Sequence, residues 1–234
     1  MYPEPDRLNP YPFNDGDVLG VHTMPSLWRP NTWISKRIQS TTYPSDFEGI
    51  RLNHVALLAR DDAGELYGDQ PRWWVYEALF NGGVVCRPLK TYLNPKRYRL
   101  QVYRHPDLYG GPLLAPGAVS QRQDAVSRKI VKYADDQLGE PYNTRKILTI
   151  RGLQLLGHTP TSFSSTTWAQ DSHICSGLVA KAYRYQAMAP DSWGPFVDPG
   201  HLVKDLDLVW QWNAPQLGGD CVRIGNAWAQ VSFA

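Results

Sequence analysis

The chain has 234 residues, 42% of them apolar, and 24 basic against 22 acidic side chains, for a formal charge of +2. This is ample apolar material for a buried core, and the absence of any run of like charge argues against a nucleic-acid arm or a polybasic membrane patch. The longest strictly apolar run, Val55 to Ala59, is far too short to cross a bilayer, and the N-terminus lacks the basic start and apolar stretch of an export signal.

Residues 1–14 carry four prolines and read as an extended, polyproline-like arm. Gly16 to His22 reads as a turn feeding a short strand, and a short helix is expected near Trp33 to Gln39. Leu52 to Arg60 is apolar on both faces at its centre, the pattern of a strand buried inside a sheet. Trp73 to Leu79 is aromatic and β-branched, and pairs naturally with Gly83 to Pro88 across the turn at Asn81-Gly82. Tyr98 to Arg104 alternates, with Tyr98, Leu100 and Val102 on one face and Arg99 and Gln101 on the other.

The period then changes to helical. Ser120 and Gln123 make a capping-box pair, Val126, Ile130, Ala134 and Leu138 form a stripe, and Gly139 with Pro141 ends it. A further helix is expected over 145–156, and the Ser/Thr-rich stretch 161–167 reads as a loop. Ile174, Leu178 and Ala182, widened by Val179, predict an amphipathic helix over 173–186, capped by Asp171 or Ser172. A strand around Leu208 to Trp212 and a hairpin from Cys221 to Phe233 complete the chain. A strand cluster beside a few helices is an α+β arrangement.

The chemistry centres on Cys175. A thiol in the first turn of a helix feels the positive end of the helix dipole, which favours the thiolate that nucleophilic catalysis needs. The competing reading is a small buried core residue. Cys86 and Cys221 lack that setting, and three cysteines without C-x-x-C spacing suggest no disulfide framework. His173 and Cys175 have no second ligand pair, so no metal and no cofactor are expected. A cysteine nucleophile needs a base and a group to orient it. His54, in the apolar Leu52-Asn53-His54-Val55-Ala56 strand, is the base candidate, and Glu77 is the one acid in the next strand. Tyr142, where the chain must turn back toward the sheet, is expected near the thiol, with the backbone N–H of Cys175 as the main oxyanion donor.

These stations together resemble a family. Gly16-Asp17-Val18-Leu19, Asn53-His54-Val55-Ala56, Val75-Tyr76-Glu77-Ala78 with Gly83-Val84-Val85, Gln101-Val102-Tyr103-Arg104, Leu138-Gly139-Glu140-Pro141-Tyr142 and Cys175-Ser176 follow the order of the circularly permuted NlpC-type papain-like cysteine hydrolases. The resemblance covers roughly residues 15–186. It implies a permuted papain-like α+β fold, with an antiparallel sheet packed against the helix carrying the cysteine. On that basis 15–212 would form the hydrolase domain and 213–234 a C-terminal β extension of it. It also implies His54 as base, Cys175 as nucleophile and Glu77 as the orienting residue, with Tyr142 and Ser176 on the oxyanion and substrate side. The chain departs from many relatives at Gly177, where they carry an acid, and at Asn143, where they often carry Asp.

The expected activity is hydrolysis of an amide through a thioester, with a peptide of the cell wall as substrate. An acyltransferase or lipid-ester hydrolase of the same fold is the alternative within enzymes. A structural part of a larger assembly, such as a phage tail, is the alternative outside them. The expected location is cytoplasmic or virion-associated, with no nucleic-acid partner and no transmembrane segment.

Overall fold

The computed structural model describes residues 13–23, 52–61, 72–94, 97–108, 121–142, 173–193, 197–212, 221–224 and 227–230. The proline arm up to residue 12, the helices expected near 33–39 and over 145–156, the loop 161–167, and Ser120, Asp171 and Ser172 lie outside them.

The fold is α+β. Its strands are β1 (Val18–Thr23), β2 (His54–Asp61), β3 (Arg72–Leu79), β4 (Gly83–Pro88), β5 (Tyr98–Arg104), β6 (Asp207–Trp212), β7 (Cys221–Ile224) and β8 (Ala227–Gln230). They form one sheet in the order β4-β3-β2-β1-β5-β6-β7-β8, with every neighbouring pair antiparallel. The helices are α1 (Gln121–Asp136), α2 (Cys175–Tyr185) and α3 (Pro199–Lys204), with 3-10 turns at Leu89–Tyr92 and Pro106–Leu108. No helix among the described residues is long and apolar enough to cross a membrane.

β2 lies inside the sheet and is apolar on both sides because both sides are covered. Val55 and Leu57 face a core built with Ile130 and Ala134 of α1, Leu178, Val179, Ala182 and Tyr183 of α2, and Leu202 and Val203 of α3. Ala56 and Leu58 face a second core with Phe13, Leu19, Val75, Leu89, Tyr92, Val102 and Trp210. Leu57 and Leu58 have no exposed surface, which at ~25 cal/mol per Å² stabilises the sheet by about 2 kcal/mol each. β5 departs from the expected polar face: Gln101 is buried, because the helices cover that side too, and on the opposite face Arg104 is buried as well. The Gln101 amide takes a bond from the Tyr103 hydroxyl at 2.8 Å, and Arg104 forks onto the buried Asp17 carboxylate at 2.7 and 2.6 Å. Asp17 also receives the Asn14 N–H at 2.7 Å, and the Tyr183 hydroxyl reaches the Gly16 carbonyl at 2.7 Å. The Gly16-Asp17 turn thus fastens β1, β5 and α2 to one another.

α1 presents Ile130 and Ala134 inward and places the pairs Asp124–Arg128 and Lys132–Asp136 on its solvent side. It stops at Asp136, so Leu138 does not extend the stripe and is 45% exposed. Gly139 turns the chain at φ +87° and lays it along β4, with Gly139 N–H donating to Val84 O at 2.9 Å and Val84 N–H to Glu140 O at 2.8 Å. That approach depends on Gly83, whose φ is +66° and whose missing Cβ would stand 2.2 Å from Glu140 O. Gly83→Ala is therefore expected to destabilise the protein by about 3 kcal/mol, from left-handed strain plus a backbone collision. Urea unfolding of the two proteins measures it, and a difference below about 1 kcal/mol would mean that the segment shifts freely.

Candidate active site

α2 begins at Cys175 itself. Its N-cap is Ile174, in extended conformation (φ −101°, ψ 163°), with no side-chain cap bond. The expected cap residues Asp171 and Ser172 lie outside the described residues, and the apolar N-cap has a chemical consequence. An apolar cap leaves the first-turn N–H groups to other acceptors, and the Ser176 N–H points at the Cys175 sulfur. The Val55 N–H, from β2, points at it as well.

His54 is the first residue of β2, so its ring stands at the strand's end, where it meets both the start of α2 and the neighbouring strand β3. It hydrogen-bonds to Cys175 on one side. On the other, its Nε2 lies 2.5 Å from Oε2 of Glu77. With Nε2 committed to the carboxylate, Nδ1 is the nitrogen left for sulfur. Burial opposes charging of the ring, but the bonds and charges of Cys175 and Glu77 outweigh it and lift His54 from 6.5 to about 10. Burial likewise pushes the Cys175 thiol up, and the His54 ring with the two backbone N–H groups overcomes this and holds it below its usual value. Both shifts run in the direction that favours a thiolate–imidazolium pair.

Glu77 has no exposed surface. Burial raises its carboxyl, but His54, Tyr92 and Arg87 together hold it below the usual carboxylate range. Arg87 donates Nε to Oε1 at 2.7 Å, and Nη2 stands 2.5 Å from the same oxygen. The Tyr92 hydroxyl donates to Oε2, closing a short bond, and accepts from Arg87 Nη2 at 2.9 Å. Neither Arg87 nor Tyr92 stood out in the sequence. A signal was there for Arg87: the hairpin register opposes Glu77 to Val85, so Arg87, two residues along on the same face, is the diagonal neighbour of Glu77. Tyr92 arrives on a 3-10 turn that periodicity does not reveal.

Tyr142 is brought in by the backbone, through a parallel bridge to His173, two residues before Cys175, with the His173 N–H donating to Pro141 O at 3.2 Å. Its ring is half-buried beside Cys175 and edge-on to Phe80 at 5.9 Å, and both burial and the nearby thiolate push its hydroxyl well up. Ser176 is a correction. Its hydroxyl is buried and donates to Val197 O at 2.6 Å, so the side chain ties α2 to the segment before α3 and is not offered to a substrate. Cys86 is half-buried on β4, and burial raises its thiol. The side chain of Cys221, on β7, is outside the described residues. A recess of about 350 Å³ lined by Phe13, Asp15, Arg60, Trp73 and Arg128 lies toward the far end of β2 and includes none of the residues around Cys175.

With sulfur and imidazole in the ionised forms that these directions favour, the charges of Cys175, His54, Glu77 and Arg87 alternate along a hydrogen-bonded chain and sum to zero. A buried chain of this kind can keep a sulfur nucleophile ionised and a proton ready beside it. Compared with known proteins, the chain matches no family model, and no curated protein matches it.

Proposed function

We propose that the protein is a cysteine hydrolase that cleaves an amide bond, with a peptide of the bacterial cell wall as its substrate class, on a permuted papain-like scaffold. The observation that carries the chemistry is the hydrogen-bonded line from Cys175 through the His54 ring to the buried carboxylate of Glu77, which favours a thiolate–imidazolium pair. The scaffold and substrate class rest on the resemblance of the sequence stations and their order.

In this reading the Cys175 thiolate attacks the amide carbonyl, forming a C–S bond and an oxyanion. The Cys175 backbone N–H, at the helix start, and Tyr142 would stabilise that oxyanion. The His54 imidazolium gives its proton to the amide nitrogen as the C–N bond breaks, and the amine leaves. A thioester and a neutral imidazole remain. His54 then takes a proton from water as its oxygen attacks the thioester. The C–S bond breaks, the acid is released, and the thiolate and imidazolium are restored. Glu77 keeps the ring aimed at the sulfur in both steps.

The pH dependence follows from the directions of the shifts. Activity should rise with pH as the thiol ionises, at a value below the usual 9.0, and fall again as His54 loses its proton at about 10. A kcat/KM profile on a wall-peptide substrate measures both limbs; an alkaline limb near the ordinary histidine value would contradict the ion pair. To test the activity itself, purified protein is incubated with wall fragments and, separately, with phospholipid vesicles, and products are read by mass spectrometry. New amines from the wall fragments are the expected result. Freed fatty acid without new amines would replace the peptide substrate by a lipid one, and neither product would leave the chain a structural role.

A further inference from the structure

We infer that Arg87 and Tyr92 are positioning residues: they hold Glu77 as an acceptor-only carboxylate and so determine which nitrogen His54 presents to Cys175. The inference rests on the nucleophile–base reading of Cys175 and His54 above.

Arg87 has only donors, and it places Nε and Nη2 against Oε1 of Glu77. Its Nη2 also donates to the Tyr92 hydroxyl oxygen, which leaves that hydroxyl's single proton for Oε2 of Glu77. Three donor groups from two elements therefore converge on one buried carboxylate, along with His54. A protonated Glu77 would have to turn an O–H into this ring of donors, with only His54 Nε2 able to receive it. The imidazole would then carry its remaining proton on Nδ1, as a donor to sulfur, and could no longer accept a proton there. Arg87 and Tyr92 exclude that state, leaving Nε2–H to donate to Glu77 and Nδ1 to face the thiol.

Packing adds orientation to charge. Tyr92 is 4% exposed and lies nearly parallel to the His54 ring, with centroids 6.3 Å apart and planes 25° off. The Arg87 guanidinium carbon sits 5.4 Å from the Tyr92 ring centre, and Tyr98 of β5 packs edge-on to Tyr92 at 5.1 Å. Around Glu77 the titratable and charged groups are thus His54 on β2, Arg87 on β4, and Tyr92 of the 3-10 turn backed by Tyr98. Cys175 acts through His54, and Cys86 lies on the other face of β4 by strand alternation.

The test uses the full chain. Cys175 is alkylated with iodoacetamide across pH and the labelling is read site by site by mass spectrometry. The His54 ring nitrogens are read by long-range ¹H–¹⁵N NMR in a Cys175→Ala background, at a pH where the ring is neutral. Arg87→Gln should raise the midpoint of Cys175 labelling by about one pH unit, because a neighbouring cation ordinarily shifts a carboxylate by ~1–3 units and Glu77 passes that change on through His54. Arg87→Lys, which restores the charge without the fork, should fall between. In the neutral-ring background, combining Arg87→Gln with Tyr92→Phe should turn one tautomer into a mixture. An Arg87→Gln midpoint equal to that of the parent, or an unchanged single tautomer in the double variant, overturns the inference. A parent protein whose Cys175 titrates at or above the usual 9.0 overturns the ion-pair reading beneath it instead, which keeps the two failures apart.

Discussion

Replacing Cys175 with alanine is expected to abolish amide hydrolysis, by about 10⁴-fold or more, while Cys86→Ser and Cys221→Ser retain it. The size of the effect follows from the role: without sulfur no thioester forms, and His54 alone has only water to activate. Cys175 and Cys86 differ in surroundings rather than in chemistry. Cys175 stands at a helix start with the His54 ring and the N–H groups of Ser176 and Val55 turned toward it, all of which favour the thiolate. Cys86 has Tyr76 as a partner, but burial prevails and its thiol is raised. Mutant and parent should share one circular-dichroism spectrum and one melting temperature to within a few degrees, since alanine fills most of the small site at 9% exposure. Turnover of a wall-peptide substrate by Cys175→Ala at more than about a hundredth of the parent rate would remove the thiol from the mechanism.

The elements that the sequence announced are those whose pattern comes from burial alone. β2 reads as apolar on both faces because both faces are covered, and the β3–β4 hairpin is announced by Asn81-Gly82. His54, Glu77 and Cys175 were legible for a related reason: each is a polar or reactive side chain on an otherwise apolar element, and such an exception needs a partner. Residues whose function depends on tertiary neighbours did not show. Arg87 reads as an ordinary strand-end cation until the hairpin register is counted. Tyr92 sits on a 3-10 turn of four residues just past the strand, too short to leave a period. α3 was missed although Asp198 and Pro199 form a clear start, the Asp198 carboxylate accepting from Gly200 and His201 N–H at 3.0 Å each. Six residues are too few for periodicity to register. Ser176 comes onto the oxyanion and substrate side through the resemblance alone, whereas on a helix the residue after Cys175 points about 100° away, here into the core.

Glu77→Gln is expected to lower kcat at neutral pH by roughly 10²- to 10⁴-fold, with the fold retained, and the direction can be worked out from the bonds. The amide keeps one acceptor oxygen, and Arg87, a charged donor, holds it. The amide nitrogen then faces the Tyr92 hydroxyl and His54 Nε2, which must accept rather than donate. The imidazole proton moves to Nδ1, toward sulfur, so the neutral ring can no longer take a proton from the thiol or from water. The electrostatics act in the same direction. Among the influences on His54, burial alone lowers its value, and Glu77 is one of the two groups that overcome it. With that charge gone the imidazolium loses stability below 10, the thiol loses its counter-ion, and the Cys175 value rises. The acid limb of the kcat/KM profile should therefore move upward in the variant and the alkaline limb downward, narrowing the active window from both sides. Rate measurements from pH 5 to 10.5 on parent and variant, with melting temperatures alongside, would show it. A variant within threefold of the parent at pH 7 would show that the buried carboxylate serves the fold and leaves the imidazole to orient itself.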